Sequence, residues 1–460
     1  MLTRPARPDK TGAPAAPARR GLSAAAPVFI IGPVKKETGE TGETGAAAGR
    51  AGRAGGAGDK DGAGAAEAIR LMVVAGEESG DAHAAALVRQ LRRQAPSARF
   101  EFFGAAGERM RAEGVEPVVR DEDLAITGLL EIARALPRFA AAYRALRRAA
   151  VGRRPDAVIL VDWPDFNLAL ARALKRRGLR VVYYISPQLW AWRAYRVRQV
   201  RRDVDLLLTI LPFEKDWYAA RGYAGAEFVG HPLAGQVVAR EGRAEFCARH
   251  GLDPARPVVS LLPGSRRKEF ERTLPVMLAA AARLARERPG AQFVVALAAR
   301  RTPAEVAAVA RAALGEANAT LRIVGGQTRE ALAASDAAAV CSGTATLEAA
   351  LLGTPLVVVY KESAFNWHTL GRLISVEHYG LPNLVAGERV APELMQNDFT
   401  PDRLAAELAR LLEPEANAAA RGRLREVAAR LGEGGASERA AEAVLRAVRG
   451  WKSGRTKGEG

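Results

Sequence analysis

The chain has 460 residues and a formal net charge of +17, with 68 lysines and arginines against 51 acids. That length allows two domains with full cores, and an apolar fraction of 48% excludes a fibrous or wholly disordered protein. Two cysteines, Cys247 and Cys341, exclude a disulfide framework and fit a reducing cytoplasm, and no apolar run reaches the roughly eighteen residues that span a bilayer.

Residues 1–68 are rich in Ala, Gly, Pro and Thr, repeat "TGE" at 38–43 and lack apolar periodicity. They read as a disordered N-terminal extension. "SAAAPVFIIG" (23–32) is short, and "PVKKETGETGETG" follows it in place of a small-residue cleavage site, so it is not read as an export signal.

Order is expected from Ile69. "IRLMVVAG" (69–76) reads as a strand, followed by a Gly-containing turn and the helical "DAHAAALVRQLRRQ". Further strand-like runs fall at 99–103, 157–161, 180–185 and 205–210, with helical stretches between several of them. A second series follows at 257–264, 291–298, 321–326, 337–343 and 355–360. Two such βα series predict an α/β protein with two Rossmann-like domains, at 69–232 and 233–400, joined near "VGHPLAG" (229–235). Thr400 as N-cap and Pro401 open a helical segment over 401–450, and 451–460 reads as a disordered tail.

In such folds ligands bind outside the carboxyl ends of strands, so the strand-to-helix turns carry the functional expectations. "VVAGEESGDAH" (73–83) matches neither the dinucleotide nor the P-loop pattern. Gly76 and Gly80 allow close approach of the backbone, and Glu77 sits at the sheet edge. Glu77 is either functional or a solvated turn residue, with Asp81 as a helix cap. "RALPRFAAAYRALRRAAVGRR" (134–154) puts Leu136, Phe139, Tyr143 and Leu146 on one helix face and Arg138, Arg144, Arg147 and Arg148 mostly on the others. That pattern suits an anionic interface or a helix packed on the sheet.

"VILVDWPDFN" (158–167) ends a buried strand at Asp162, with Asp165 read as the helix cap. "SPQLWAWR" (186–193) brings Trp190, Trp192 and a run of arginines, which suits base stacking, lipid contact or a sugar pocket. In "LLPGSRRKEF" (261–270), Gly264, Ser265 and Arg266 suit a diphosphate or form a basic surface loop. In "CSGTATLEAALLGTP" (341–355), Ser342, Gly343 and Thr344 crowd a turn before a helix. Glu348, read as lying in its first turn, either accepts ribose hydroxyls or complements the helix dipole. "DED" (121–123) and "DVD" (203–205) read as incidental, so no metal site is expected.

"AGEESGD", "DWPDFN", "YYISPQLWAWR", "LPFEKDWY", "FVGHP", "LLPGSR", "SGTATLE" and "GLPNLVAG" occur in that order. Together they resemble the lipid-A-disaccharide synthase family over about 70–445. The resemblance implies two Rossmann-like domains facing a cleft, the GT-B glycosyltransferase architecture with C-terminal helices. The reaction implied is inverting transfer of 2,3-diacylglucosamine from UDP to the 6-hydroxyl of 2,3-diacylglucosamine 1-phosphate, without a cofactor. Asp162 matches the family's critical aspartate and is expected to be the base. Glu77, with Ser79 and Gly80, is placed on the acceptor side, where the Ser186–Trp192 segment is expected to shape the cleft wall, with Trp190 and Trp192 either touching sugar or packing under the loop. Gly264, Ser265, Arg266, Ser342, Gly343, Thr344, Glu348 and Asn383 are expected to hold the UDP donor. Glu78 and Thr127 depart from the Thr and Met common in the family. The acylated substrates imply a peripheral protein on the anionic cytoplasmic face of an inner membrane, and a homodimer is compatible with the family.

Related UDP-sugar enzymes, a peptidoglycan N-acetylglucosaminyltransferase or a UDP-N-acetylglucosamine 2-epimerase, would share Glu348 but not "DWPDFN" with "SPQLWAWR". No RNP-type, helix-turn-helix or zinc-finger signature is present, so nucleic acid is not an expected partner.

Overall fold

A computed structural model describes residues 68–120, 122, 129–298, 301–314, 320–363 and 376–456. The extension read as disordered lies outside the described residues except at its last position, Ala68. Thr127 and most of "DED" also lie outside them.

The first half builds a sheet from β1 (Ala68–Val74), β2 (Arg99–Ala106), β3 (Glu116–Arg120), β4 (Ala157–Val161), β5 (Val181–Tyr184), β6 (Leu206–Thr209) and β7 (Ala226–Phe228). Its helices are α1 (Glu78–Gln94), α2 (Glu108–Ala112), α3 (Leu129–Arg153), α4 (Pro164–Lys175), α5 (Leu189–Trp192), α6 (Val197–Asp203) and α7 (Glu214–Ala219). The second half adds β8 (Val258–Leu262), β9 (Gln292–Leu297), β10 (Thr320–Gly325), β11 (Ala337–Cys341), β12 (Leu356–Tyr360) and β13 (Glu393–Met395). Its helices are α8 (Arg243–His250), α9 (Arg267–Glu287), α10 (Pro303–Leu314), α11 (Thr328–Ala333), α12 (Thr344–Leu351), α13 (Leu381–Ala386), α14 (Pro401–Leu411), α15 (Pro414–Leu431) and α16 (Ala436–Thr456).

The strand orders are β3-β2-β1-β4-β5-β6-β7 and β10-β9-β8-β11-β12-β13, with parallel pairing throughout both sheets. The cause is visible in the strands themselves. β4 (AVILV), β8 (VVSLL) and β11 (AAAVC) are buried at every residue, as strands covered by helices on both faces must be. Leu146, Leu168, Leu174, Val197 and Val200 of α3, α4 and α6 share one core under the first sheet. Leu87 and Leu91 of α1 share the other with Val444 and Val448 of α16. Each such side chain stabilises the fold by about 1.5–3 kcal/mol through burial.

The C-terminal helices divide between the halves. α15 ties to the second, where Arg421 donates to the carbonyl oxygens of Gly353 (2.8 Å) and Ser335 (3.1 Å). α16 returns to the first. Gln94 donates its side-chain amide to the Glu438 carbonyl (2.8 Å), and Arg439 donates to that of Val229 (2.9 Å). α16 runs to Thr456, so 451–456 are helical and not the disordered tail expected from composition. Trp451 explains the extension, because it packs on the first core and lies under the Arg180 guanidinium.

Candidate active site

Each sheet reverses its strand order once near its centre, between β1 and β4 in the first and between β8 and β11 in the second. These switch points open a crevice at the strands' carboxyl ends. Glu77 follows β1 and Asp162 follows β4. Gly264–Arg266 follow β8, and Ser342–Thr344 follow β11. Four turns read separately in the sequence are thus brought together as two pairs. The pairs face each other closely enough that Arg266 acts on the Glu77 carboxyl.

On the first side, Asp162 is held in an unusual backbone conformation. Asp162 and Trp163 both have φ of 49°, and Ile185, just after β5, has φ of 62°. Left-handed backbone is rare outside glycine and most costly for bulky or β-branched side chains, at about 1–3 kcal/mol per residue. The buried amide of Asn167 holds the turn by donating to the carbonyls of Val161 (3.1 Å) and Asp162 (2.8 Å). Tyr183 donates its hydroxyl to the Asp162 carbonyl as well (2.6 Å). Burial pushes the Asp162 carboxyl up to about 7. The neighbouring Glu77 charge adds to the rise, and the Trp163 N–H draws it down. Burial also raises Glu77, while Arg266 lowers it.

Trp163 escaped the sequence reading. Its indole stacks on Phe166, with centroids 4.0 Å apart at 10°, and lies over Gly76, where an added Cβ would fall 2.2 Å from the ring. The glycine in "AGEESGD" is therefore a packing partner of the tryptophan in "DWPDFN". Ser79 and Gly80 are buried in the first turn of α1, with Gly80 against Ala75 and the Val161 carbonyl. They bring the amide end of α1 to the switch point. Asp81 caps α2 and not its own helix, accepting from the N–H groups of Gly107 (2.8 Å), Arg109 (2.9 Å) and Met110 (3.2 Å).

The structure separates the two readings of the indoles in "SPQLWAWR". Trp190 is 7% exposed and donates its indole N–H to Glu214 (3.1 Å), so it packs beneath the segment and does not form the cleft wall. Glu214 also accepts from Ser186 Oγ (2.7 Å) and the backbone N–H groups of Ile210 and Leu211, anchoring the segment to β6. Trp192 is partly exposed, with the Arg193 guanidinium 3.8 Å from its ring centroid. Arg193 and Arg196 both donate to Asp165 Oδ1, at 2.8 and 2.6 Å. Asp165 therefore joins two motifs and is not the α4 cap, a position taken by Trp163.

On the second side, Gly264 has φ of 100°, and an added Cβ would meet Glu269 and Cys341. Ser265 and Arg266 stand exposed before α9, with Arg266 Nη1 donating to Glu269 Oε1 (2.6 Å). Gly343 (φ 147°, ψ −165°) occupies backbone space open to glycine alone and starts α12 at Thr344. Ser342 donates its hydroxyl to the Tyr379 carbonyl (3.0 Å), and Thr344 Oγ1 is buried without a hydrogen-bond partner among the described residues. The first turns of α9 and α12 thus converge at one switch point, as an anionic diphosphate requires. Glu348 lies one turn into α12, not in its first turn, and pairs with Arg329 (3.1 Å), a residue the sequence reading missed.

Asn383 is also corrected. It is fully buried, and its amide is spent on the protein. Nδ2 donates to the Ala391 carbonyl and Glu393 Oε1, both at 2.8 Å, and Oδ1 accepts from the N–H groups of Val390 (2.9 Å) and Ala391 (2.8 Å). Glu393 accepts in turn from the N–H groups of Tyr379 and Gly380. Asn383 therefore braces the strap that receives Ser342 and has no amide valence left for a nucleotide.

The "DVD" acids are individually paired, Asp203 with Arg202 and Asp205 with Arg180 and Lys175. Among the described residues no group of three His, Cys, Asp or Glu is placed to hold a metal ion.

Comparison with known proteins adds to this geometry. A family profile described as lipid-A-disaccharide synthetase matches residues 71–447. The chain is 44% identical over 377 residues to a lipid-A-disaccharide synthase of Geobacter sulfurreducens, covering 82% of this chain and 96% of that one. It is 45% identical over 378 residues to one of Myxococcus xanthus, covering 82% and 97%. Among solved structures, a UDP-GlcNAc 2-epimerase from Neisseria meningitidis bound to UDP-GlcNAc superposes with a TM-score of 0.54 at 13% identity, over 83% of this chain and all of that one. MurG of Acinetobacter baumannii gives 0.51 at 15% identity, over 83% and 99%. At those identities the likeness is one of fold.

Proposed function

The chain belongs to the lipid-A-disaccharide synthase family, and from that premise we propose how its two switch points divide the reaction. The protein is a glycosyltransferase of the GT-B type, and its activity is lipid-A-disaccharide synthesis. We assign the half built on β1–β7 to the acceptor and the half built on β8–β13 to the UDP-sugar, with the division in the 229–242 joint. The donor is UDP-2,3-diacylglucosamine, and the acceptor is 2,3-diacylglucosamine 1-phosphate.

The observation that carries this reading is the Asp162 carboxyl. It sits at the acceptor-side switch point with Glu77 beside it, opposite Arg266 and the α9 and α12 termini. A carboxyl near 7 is matched to removing a hydroxyl proton at neutral pH. Its position opposite the donor side suits attack on the anomeric carbon from the face away from UDP, which inverts that centre. Arg266 and the amides of Gly264, Ser265, Gly343 and Thr344 neutralise the departing diphosphate. Glu77 orients the acceptor and adds to the basicity that burial gives Asp162.

We also assign the face carrying α3, α4 and α6 to an anionic membrane surface. Arg138, Arg144, Arg148, Arg198 and Arg201 are exposed there, with Leu136 60% exposed at one end of a stripe that is buried at Leu146. Among the described residues no helix is long and apolar enough to cross a membrane.

The test of the reaction is acceptor-dependent UDP release. Purified chain with UDP-2,3-diacylglucosamine should release UDP in step with disaccharide only when the monosaccharide 1-phosphate is present. Release that ignores the acceptor would overturn the reading.

A further inference from the structure

Arg329 of α11 stands between Glu348 and the chain that joins the two halves. Its Nε donates to Glu348 Oε1 at 3.1 Å, and its Nη1 donates to the Gln236 carbonyl at 3.1 Å. The next residue, Glu330, accepts the Arg240 N–H at 3.3 Å, so α11 is tied to the joint twice. The Glu348 side chain is only 18% exposed. Burial favours its neutral form, and the Arg329 charge opposes that. Among the described residues Glu348 Oε2 makes no hydrogen bond. One oxygen is therefore fixed by a planar cation and the other is left open. The carboxylate lies one turn behind the Gly343–Thr344 terminus, where the diphosphate is placed.

A neutral carboxyl accepts poorly from two adjacent hydroxyls, and a free carboxylate rotates. A guanidinium anchored at the Gln236 carbonyl opposes both through one charge-assisted bond to Oε1. We propose that Arg329 is a positioning residue for the donor nucleotide, holding Glu348 oriented to accept the two vicinal hydroxyls of the ribose. The proposal rests on reading the second switch point as the donor site. It makes Arg329 a determinant of ribose recognition without contact with the ligand.

The test is calorimetric titration of the full chain, wild type and the Arg329→Gln and Arg329→Lys variants, with UDP, 2′-deoxy-UDP and UMP. Wild type should bind UDP at least about 10-fold more tightly than 2′-deoxy-UDP, the size of one lost charge-assisted hydrogen bond. In Arg329→Gln that ratio should fall below about threefold, while the preference for UDP over UMP, set by the diphosphate turns, stays within about twofold of wild type. Arg329→Lys should recover part of the ribose preference. Both ratios are internal to one protein, so a general loss of stability does not mimic the result. Retention of the full UDP-to-deoxy ratio in Arg329→Gln would overturn the proposal, and so would parallel loss of both preferences. Wild type that binds UDP and 2′-deoxy-UDP equally removes the ribose reading of Glu348 itself, a failure visible before any variant is made.

Discussion

Burial raises the carboxyl of Asp162, and the charge of Glu77 across the β1–β4 switch point raises it further. The two residues follow adjacent parallel strands at the centre of the sheet. A base must be ionised to act. With Asp162 near 7, kcat/KM should climb about tenfold per pH unit below that value and level off above it. Removing the like charge in Glu77→Gln should move the acid limb to lower pH, read on whatever activity remains. A limb that stays in place or moves up would break the link between the two residues.

The same carboxyl should cost stability at high pH. Its folded pKa lies above its unfolded value, so the native state binds the extra proton between about pH 4 and 7. The stabilisation is full below the unfolded pKa and is lost as pH rises through the folded one. Asp162→Asn should therefore raise the Tm by about 2–4 °C at pH 8, with the gain gone by pH 4. Thermal unfolding at the two pH values checks this, and an equal gain at both would contradict it.

Asn167 holds the strained turn that presents Asp162. Asn167→Ala removes the side-chain donor to the Val161 carbonyl and leaves the Asp162 carbonyl with the Tyr183 hydroxyl alone, and should cost about 1–3 kcal/mol of stability. Turnover should fall by at least about tenfold, with the KM for the UDP-sugar little changed, because the donor side is untouched. Denaturant unfolding and steady-state kinetics on one preparation measure both effects.

Asn383→Ala tests the corrected role of that residue. As a brace it should lower stability by about 2–3 kcal/mol and weaken UDP only through the displaced Tyr379–Ser342 strap. As a nucleotide contact it would weaken UDP with no change in unfolding. Titration with UDP alongside thermal unfolding separates the two.

The basic face should bind lipid by charge. Co-sedimentation with anionic vesicles at low salt should exceed that with neutral vesicles and fall as salt rises. Replacing Arg138, Arg144 and Arg148 with glutamine should cost about 1 kcal/mol of binding per residue. Equal binding to neutral and anionic vesicles would refute the electrostatic part.

Much of this site was legible because buried parallel strands end abruptly. "VILV" stops at Asp162, "VVSLL" at Pro263-Gly264 and "AAAVC" at Ser342, so the chemistry of each turn stands out against an apolar run. Three strands went unread. β3 contains Pro117 and has no buried residue, and β7 and β13, at three residues each, are too short to set a pattern; all are edge strands. Residue type alone left Trp190 open and misled at Asn383. Indole and amide groups suit ligands and buried scaffolds equally, and only their saturated hydrogen bonds separate the two. Arg329 went unseen because it meets Glu348 from another helix, 19 residues away, through the packing of α11 on α12.

Disaccharide formation by wild type and Asp162→Asn, with both lipid substrates present and folding verified, tests the central claim most directly. Wild type should convert acceptor to disaccharide with matching UDP release, and the variant should lose turnover by about 10²–10⁴-fold while still binding UDP. A folded Asp162→Asn protein with near-normal turnover would contradict the account.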